Sequence, residues 1–282
     1  MNTTEKASLK IKDIRYWLLG IVAGLQAICL TLVWKADDTG HFGMSLLFLF
    51  AIGSLTWEKR DNLKFESEVL PSIVGIALIG WVLWESTNLA DGNIMRLLPF
   101  TSALGVALLA SGFKGLKQYW QELIILFFLG VPSIIASLLF DIAPLTAKFS
   151  AFLLHYFGFD VVSQGVFINL PGGGIEVTDE CSGLDTIIYT LSISVLALVM
   201  FPVNRAKRFF VPIVAIIIGF IINAIRVVML AIFAASNKAA FDNWHGGQAS
   251  YLYGMIGILV FGCFYWLLLQ QEEKAQSIRS SD

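Results

Sequence analysis

The sequence predicts an all-α membrane protein of about eight transmembrane helices, with a small outer amphipathic helix and a β-hairpin before the sixth span. Three observations carry this. Apolar residues make up 57% of the 282-residue chain and charged residues only 14%, whereas soluble chains are roughly a quarter charged. The charges fall in short clusters between long apolar runs. Basic residues concentrate in every second connecting segment. The net charge of −2 gives no sign of a nucleic-acid partner, and none is expected.

Runs long enough, or nearly so, to cross a bilayer at about 20 residues each lie at 16–34, 42–57, 70–88, 96–112, 121–140, 183–201, 209–235 and 250–269. The first follows Lys6, Lys10, Lys12 and Arg15, as a signal peptide would. It is long, lacks a small-x-small cleavage site and is followed by further spans, so it reads as a retained signal anchor. The second and fourth runs are the shortest. With the N-terminus inside, the cytoplasmic segments hold those four residues, Lys59, Arg60, Lys64, Lys114, Lys117, Arg205, Lys207, Arg208, Lys274 and Arg279. The outer segments hold Lys35, Arg96, Lys148 and Lys238. Fourteen against four is a strong positive-inside bias. Dropping either weak span would put basic loops on the wrong side. Both ends are thus expected in the cytoplasm.

The chain divides by character into 1–140, five spans with almost no polar residue at membrane depth, and 141–282, an outer segment and three spans. Together they make one integral membrane domain. In the outer segment, Ala143 to Phe157 places Leu145, Phe149, Phe152, Leu153 and Tyr156 at helical spacing, and reads as a helix lying on the membrane surface. Alternation through Val166-Phe167-Ile168-Asn169-Leu170, a turn at Pro171-Gly172-Gly173-Gly174 and then Ile175-Glu176-Val177 suggest a hairpin. No Lys-Ser/Thr follows the glycines, which argues against a phosphate loop.

Three residues carry possible chemistry. Cys181 immediately precedes the sixth span. Ser182-Gly183-Leu184-Asp185 fits a capping box, which would set the thiol beside unpaired amides and the positive end of a helix dipole. That setting favours a thiolate and offers donors to an oxyanion. Asp179 and Glu180 oppose it, so a positive partner is needed. The plain alternative is an inert interfacial cysteine. Arg226, in the seventh span, is a charge at membrane depth and hence a functional candidate. It lies 17 residues beyond Phe209, about 25 Å along a helix, near the outer end of the hydrocarbon. Asn223 is one turn earlier on the same face. Snorkelling to the outer headgroups is the alternative. His245, beside Trp244 before the eighth span, is either an interfacial anchor or a catalytic base. The topology puts all three on one membrane face. A thiol, an imidazole and a guanidinium together are the parts of a cysteine acyl-transfer enzyme. The other cysteines, Cys29 and Cys263, lie inside apolar runs. No CxxC or zinc spacing exists, so neither a disulfide framework, a metal nor a cofactor is expected.

Glu180-Cys181-Ser182-Gly183-Leu184, then Asn223-Ala224-Ile225-Arg226-Val227, then His245 before the last span, resemble the exosortase/archaeosortase family. The resemblance is carried by the last half; the first half matches only as a set of apolar helices. It implies a membrane-embedded cysteine transpeptidase or endopeptidase. Cys181 would be the nucleophile, His245 the proton-transfer residue and Arg226 the stabiliser of thiolate or oxyanion, with Asn223, Ser182 and Gly183 in support. The implied partners are membrane lipid and exported proteins carrying a C-terminal Pro-Glu-Pro motif, a transmembrane helix and a basic tail. The histidine suits the bacterial exosortase branch. Asp185 departs from the basic or neutral residue of the family. The chain ends soon after the last span, so no fused accessory domain is expected. Three other readings stand beside this one. A transporter would explain the spans and Arg226, but Glu85, Asp91, Glu122 and Asp141 fall near span ends rather than inside them, and no inverted repeat is evident. A membrane acyltransferase acting on lipid would share the thiol chemistry. A non-catalytic assembly partner would leave Cys181 inert.

Overall fold

The computed structural model describes residues 14–88, 92–246 and 251–279. Lys6, Lys10, Lys12, Asp91 and Gly247 lie outside the described residues. Among the described residues, six stretches of helix are long and apolar enough to cross a membrane: Tyr16–Lys35, Thr39–Lys59, Val69–Thr87, Gly92–Leu139, Arg205–Ser236 and Leu252–Lys274. The chain is a largely helical, multi-pass membrane protein. It divides into two compact units, Met1–Ile134 and Ile135–Asp282.

The first unit is built from α1 (Ile14–Lys35), α2 (Thr39–Lys59), α3 (Val69–Thr87), α4 (Gly92–Gly115) and most of α5 (Trp120–Leu139). The fourth apolar stretch is 48 residues long because α4 and α5 run together through a 3-10 turn at Leu116–Tyr119. Gly112 breaks the helical path there, with φ +64. Apolar surfaces alone do not drive helices together in lipid, so close packing of small residues does. A Cβ on Gly75 would sit 2.6 Å from the carbonyl oxygen of Gly105, and one on Gly105 would sit 3.0 Å from that of Gly75. These glycines seat α3 against α4. Polar groups are also buried in this unit. The Gln26 amide nitrogen donates to the carbonyl of Pro99 at 2.9 Å and to the Ser102 hydroxyl at 3.0 Å. Arg96 pairs with Asp38 at 3.2 Å, and Lys59 with buried Glu122 at 2.6 Å.

The second unit holds α6 (Ala143–Tyr156), a sheet, α7 (Leu184–Met200), α8 (Arg205–Ser236), α9 (Lys238–His245) and α10 (Tyr251–Arg279). α6 occupies the span read as an amphipathic helix, and it uses both of its faces. Thr146, Ala147, Ser150, Ala151 and Leu154 are buried, and the small side chains allow close approach to α8, where the Ser150 hydroxyl donates to the carbonyl of Ala224 at 3.3 Å. Leu145, Phe152 and Tyr156 point outward, each more than half exposed.

The sheet has three antiparallel strands in the order β1-β2-β3: Val162–Gln164, Phe167–Leu170 and Gly173–Glu176. β1 adds a third strand to the two of the expected hairpin. The turn between β2 and β3 is the pair Pro171-Gly172, with Gly172 at φ +106, a combination suited to a type II turn. Gly173 and Gly174 belong to β3 rather than to the turn. A Cβ on Gly173 would lie 2.7 Å from the carbonyl oxygen of Ala234, so the glycine lets the sheet lie against the end of α8. Ile168, Leu170 and Val177 join Ala143, Ala147, Leu154, Val227, Val228 and Ala231 in one buried cluster that includes Cys181.

α7 is a shorter apolar helix of 17 residues. Gly219 seats it on α8, because a Cβ there would come within 2.8 Å of the Cα of Ile187. α8 has 32 residues, about 48 Å at 1.5 Å per residue. Its first turn carries Arg205, Lys207 and Arg208, and Lys207 pairs with Glu272 of α10 at 2.8 Å. Its far end carries α6, the sheet and α9.

Candidate active site

Cys181 ends a 3-10 turn, Asp179–Cys181, that leads from the sheet into α7. The expected capping box does not form. α7 begins one residue later, at Leu184, with Gly183 as its cap at φ +92. The Ser182 hydroxyl donates to the carbonyl of Asp179 at 2.6 Å and accepts from the Leu184 amide at 3.4 Å. The amides of Cys181 and Ser182 donate to the carbonyls of Thr178 and Asp179. Those two amides are therefore engaged in the turn, and a developing oxyanion needs another donor.

The turn is held from two sides. Thr146 of α6 donates from its hydroxyl to the Ser182 carbonyl at 2.7 Å. Asn223 of α8, itself buried, donates from its amide to the Cys181 carbonyl at 3.0 Å. Gly183 is required at this point for two reasons. Its positive φ is disfavoured for L side chains, and a Cβ there would overlap the Asn223 side chain.

The Cys181 sulfur lies 3.2 Å from Nε2 of His245, across 64 residues of sequence. His245 is the last residue of α9, a short helix where the sequence reading had only a loop. Asn237 caps α9 by accepting from the Ala240 amide at 3.1 Å. Phe241, one turn before His245, stacks on the imidazole at 5.0 Å between ring centroids and 14° between planes, which limits its rotation. Trp244 packs against Phe233 and Tyr253, fixing the other side of α9.

Arg226 donates from Nη2 to the backbone carbonyl of His245 at 3.2 Å. The guanidinium thus closes the C-terminal end of α9, where helix carbonyls lack partners and a cation is favoured. Its Nε is buried with no hydrogen-bond partner among the described residues, as is Oδ1 of Asn223. A buried unpaired donor is costly, so the free edge of the guanidinium is available to a negative or carbonyl group. Asp179 and Glu180, which oppose a thiolate, are exposed to solvent, where their influence is screened.

A cavity of about 170 Å³ opens over the thiol, lined by Gly174, Ile175, Glu176, Val227, Phe241 and His245 among others. The Cys181 sulfur and the His245 imidazole therefore meet at this cavity, with Arg226 on the His245 carbonyl and Asn223, Ser182 and Gly183 around Cys181. Sequence reasoning missed Thr146 and Phe241. Thr146 carries a weak signal, a polar residue on the small-residue face of α6; Phe241 shows only after α9 is recognised as a helix. His41 is buried in the first unit and His155 is exposed on α6. Neither contributes to this cavity.

The second unit is thus a membrane-embedded bundle with a thiol and an imidazole in hydrogen-bond reach beside a guanidinium. The family model for transmembrane exosortase (Exosortase_EpsH) matches residues 34–271. The chain belongs to that family, and membership places it with the membrane-embedded sorting transpeptidases. Neither the curated proteins nor the solved structures compared with it give a match.

Proposed function

We propose that the protein is a cysteine transpeptidase/endopeptidase that cuts the C-terminal sorting signal from exported proteins still tethered in the same membrane, at its outer face. The observation that carries this is the 3.2 Å approach of the Cys181 sulfur to Nε2 of His245 beneath an open cavity. A nucleophile and base in such contact are the minimum for covalent acyl transfer. His245 takes the thiol proton as the sulfur attacks the scissile carbonyl. Arg226, through its unpaired Nε, stabilises the thiolate and then the oxyanion. When the intermediate collapses, the C–N bond breaks and His245 returns the proton to the leaving amine, which departs with the membrane tail. The thioester then passes its acyl group to an acceptor amine or to water, and the thiol is restored.

The same reading takes the stretch Gly92–Leu139 as two crossings, since Gly112 and the 3-10 turn interrupt it, and α7 as a short crossing. This gives eight spans with both ends in the cytoplasm of a bacterial inner membrane. The basic cluster at the start of α8 then marks the cytoplasmic side. The site lies on the opposite side, because Arg205 and Arg226 are separated by about 31 Å along the helix. The Pro-Glu-Pro motif, transmembrane helix and basic tail of the substrate follow from the family resemblance. Tethering supplies effective concentration, and a fixed depth brings the bond to the thiol.

The test is co-expression with a protein bearing such a tail. Wild type should release the tail and Cys181→Ala should not. Tail release by Cys181→Ala at the wild-type rate would overturn the reading.

A further inference from the structure

The strand register exposes a second feature of the cavity. Among the described residues β3 pairs only with β2, and no other strand lies along its second edge. The Val177 amide donates to the Val166 carbonyl at 2.9 Å, and the pairs Ile168↔Ile175 and Leu170↔Gly173 lie in the same phase. In an antiparallel ladder, hydrogen-bonded pairs alternate with pairs whose backbone groups face away from each other. Gly174 and Glu176 are therefore the residues whose N–H and C=O point away from β2. Both are exposed, and both line the cavity that holds Cys181 and His245. Open edges of this kind invite pairing with another strand, and proteins usually cover them.

We propose that the substrate segment at the scissile bond binds in extended form as a fourth strand on β3. Its main chain would pair with Gly174 and Glu176 so that its carbonyl reaches Cys181. The inference rests on the peptide-cutting reading above and names the surface that performs the recognition. Strand addition supplies affinity through main-chain bonds, and side-chain pockets supply selectivity. One substrate side chain, on the face turned inward, enters the space bordered by Ile175, Val227 and Phe241. A Cβ at position 174 would overlap the Asn169 side chain, so the glycine there lets β3 lie close against β2. The geometry also suits a Pro-x-Pro sequence. Residues two apart in a strand present their backbone groups to the same edge, so both prolines would turn their missing N–H toward solvent while the middle residue pairs with β3.

The test uses Glu176→Pro and Glu176→Ala in the full chain in membranes. Both remove the carboxylate. Only proline removes the N–H, and that N–H faces away from β2, so the sheet's own ladder is kept. At limiting substrate, Glu176→Pro should process about three- to tenfold more slowly than Glu176→Ala, the loss expected from one hydrogen bond. Equal rates for the two variants, with Cys181→Ala inactive, would overturn strand pairing and leave the nucleophile assignment standing. A second measurement does not depend on turnover. In a Cys181→Ala background, Glu176→Cys should form disulfides with single cysteines placed at alternate positions of the substrate motif, and not with those between. Cross-linking without that period of two contradicts the extended mode of binding.

Discussion

Gly183→Ala tests the packing that holds the nucleophile. The backbone at 183 has φ +92, where a non-glycine residue costs about 1–2 kcal/mol. The added methyl also overlaps the amide of Asn223. Asn223 is buried between Gly183 and the rest of α8, so it cannot move freely, and forced repacking of this kind costs about 1–3 kcal/mol. The sum is about 2–5 kcal/mol, large against the usual total stability of a protein. Displacing Asn223 also breaks its bond to the Cys181 carbonyl, so the thiol should lose its alignment with His245. The assays are thermal unfolding in detergent and the rate of Cys181 alkylation by a small reagent. The double variant Gly183→Ala/Asn223→Ala relieves the overlap and keeps only the backbone cost and the lost hydrogen bond, about 1 kcal/mol. It should be destabilised by less than the two single changes add up to. If Gly183→Ala unfolds and alkylates like wild type, or if the two changes are additive, the account of this contact is wrong.

Three further outcomes are expected. Arg226→Lys should lose most activity, because a fork of donors becomes a point charge on a flexible stem and both the His245 carbonyl bond and the free Nε are lost; normal turnover would mean that charge alone suffices. His245→Ala should abolish tail release while His155→Ala, at an exposed position of α6, retains most of it. The reverse result would identify the wrong histidine. A single cysteine at position 160, in a chain cleared of the others, should react with an impermeant reagent from the outer side only, and reaction from the cytoplasmic side alone would remove the common face on which the mechanism depends.

Much of this was legible in the sequence because lipid imposes simple rules. Apolar runs give helices, and Cys181, Arg226 and His245 stand out as reactive or charged groups around the last of them. What escaped depends on close contact. The capping box at Ser182-Asp185 is replaced by Gly183 in a left-handed conformation, because Asn223 occupies the space that a side chain would need. The amides expected to face an oxyanion are partly used in the 3-10 turn, so the proposed mechanism gives that role to Arg226. α9 is only eight residues long and is stabilised by packing of Trp244 and Phe241, so periodicity gave it no weight. β1 has three residues, and Val162 among them is exposed, leaving no alternation to read. Gln26 in α1 was submerged among its apolar neighbours; its role appears only when Pro99 and Ser102 are brought beside it. The face of α6 that packs on α8 is made of alanines, Thr146 and Ser150, while the more conspicuous aromatic face points outward.

The central claim is that Cys181 forms the acyl bond with substrate. The direct measurement is capture of the covalent intermediate. A tailed substrate is incubated with membranes containing the full chain, quenched in acid and analysed by peptide mass spectrometry. The account predicts a hydroxylamine-sensitive adduct joining the newly exposed carboxyl terminus of the substrate to Cys181, absent in Cys181→Ala and absent from Cys29 and Cys263. Tail release with no adduct at Cys181, or an adduct at either of the other cysteines, would contradict it.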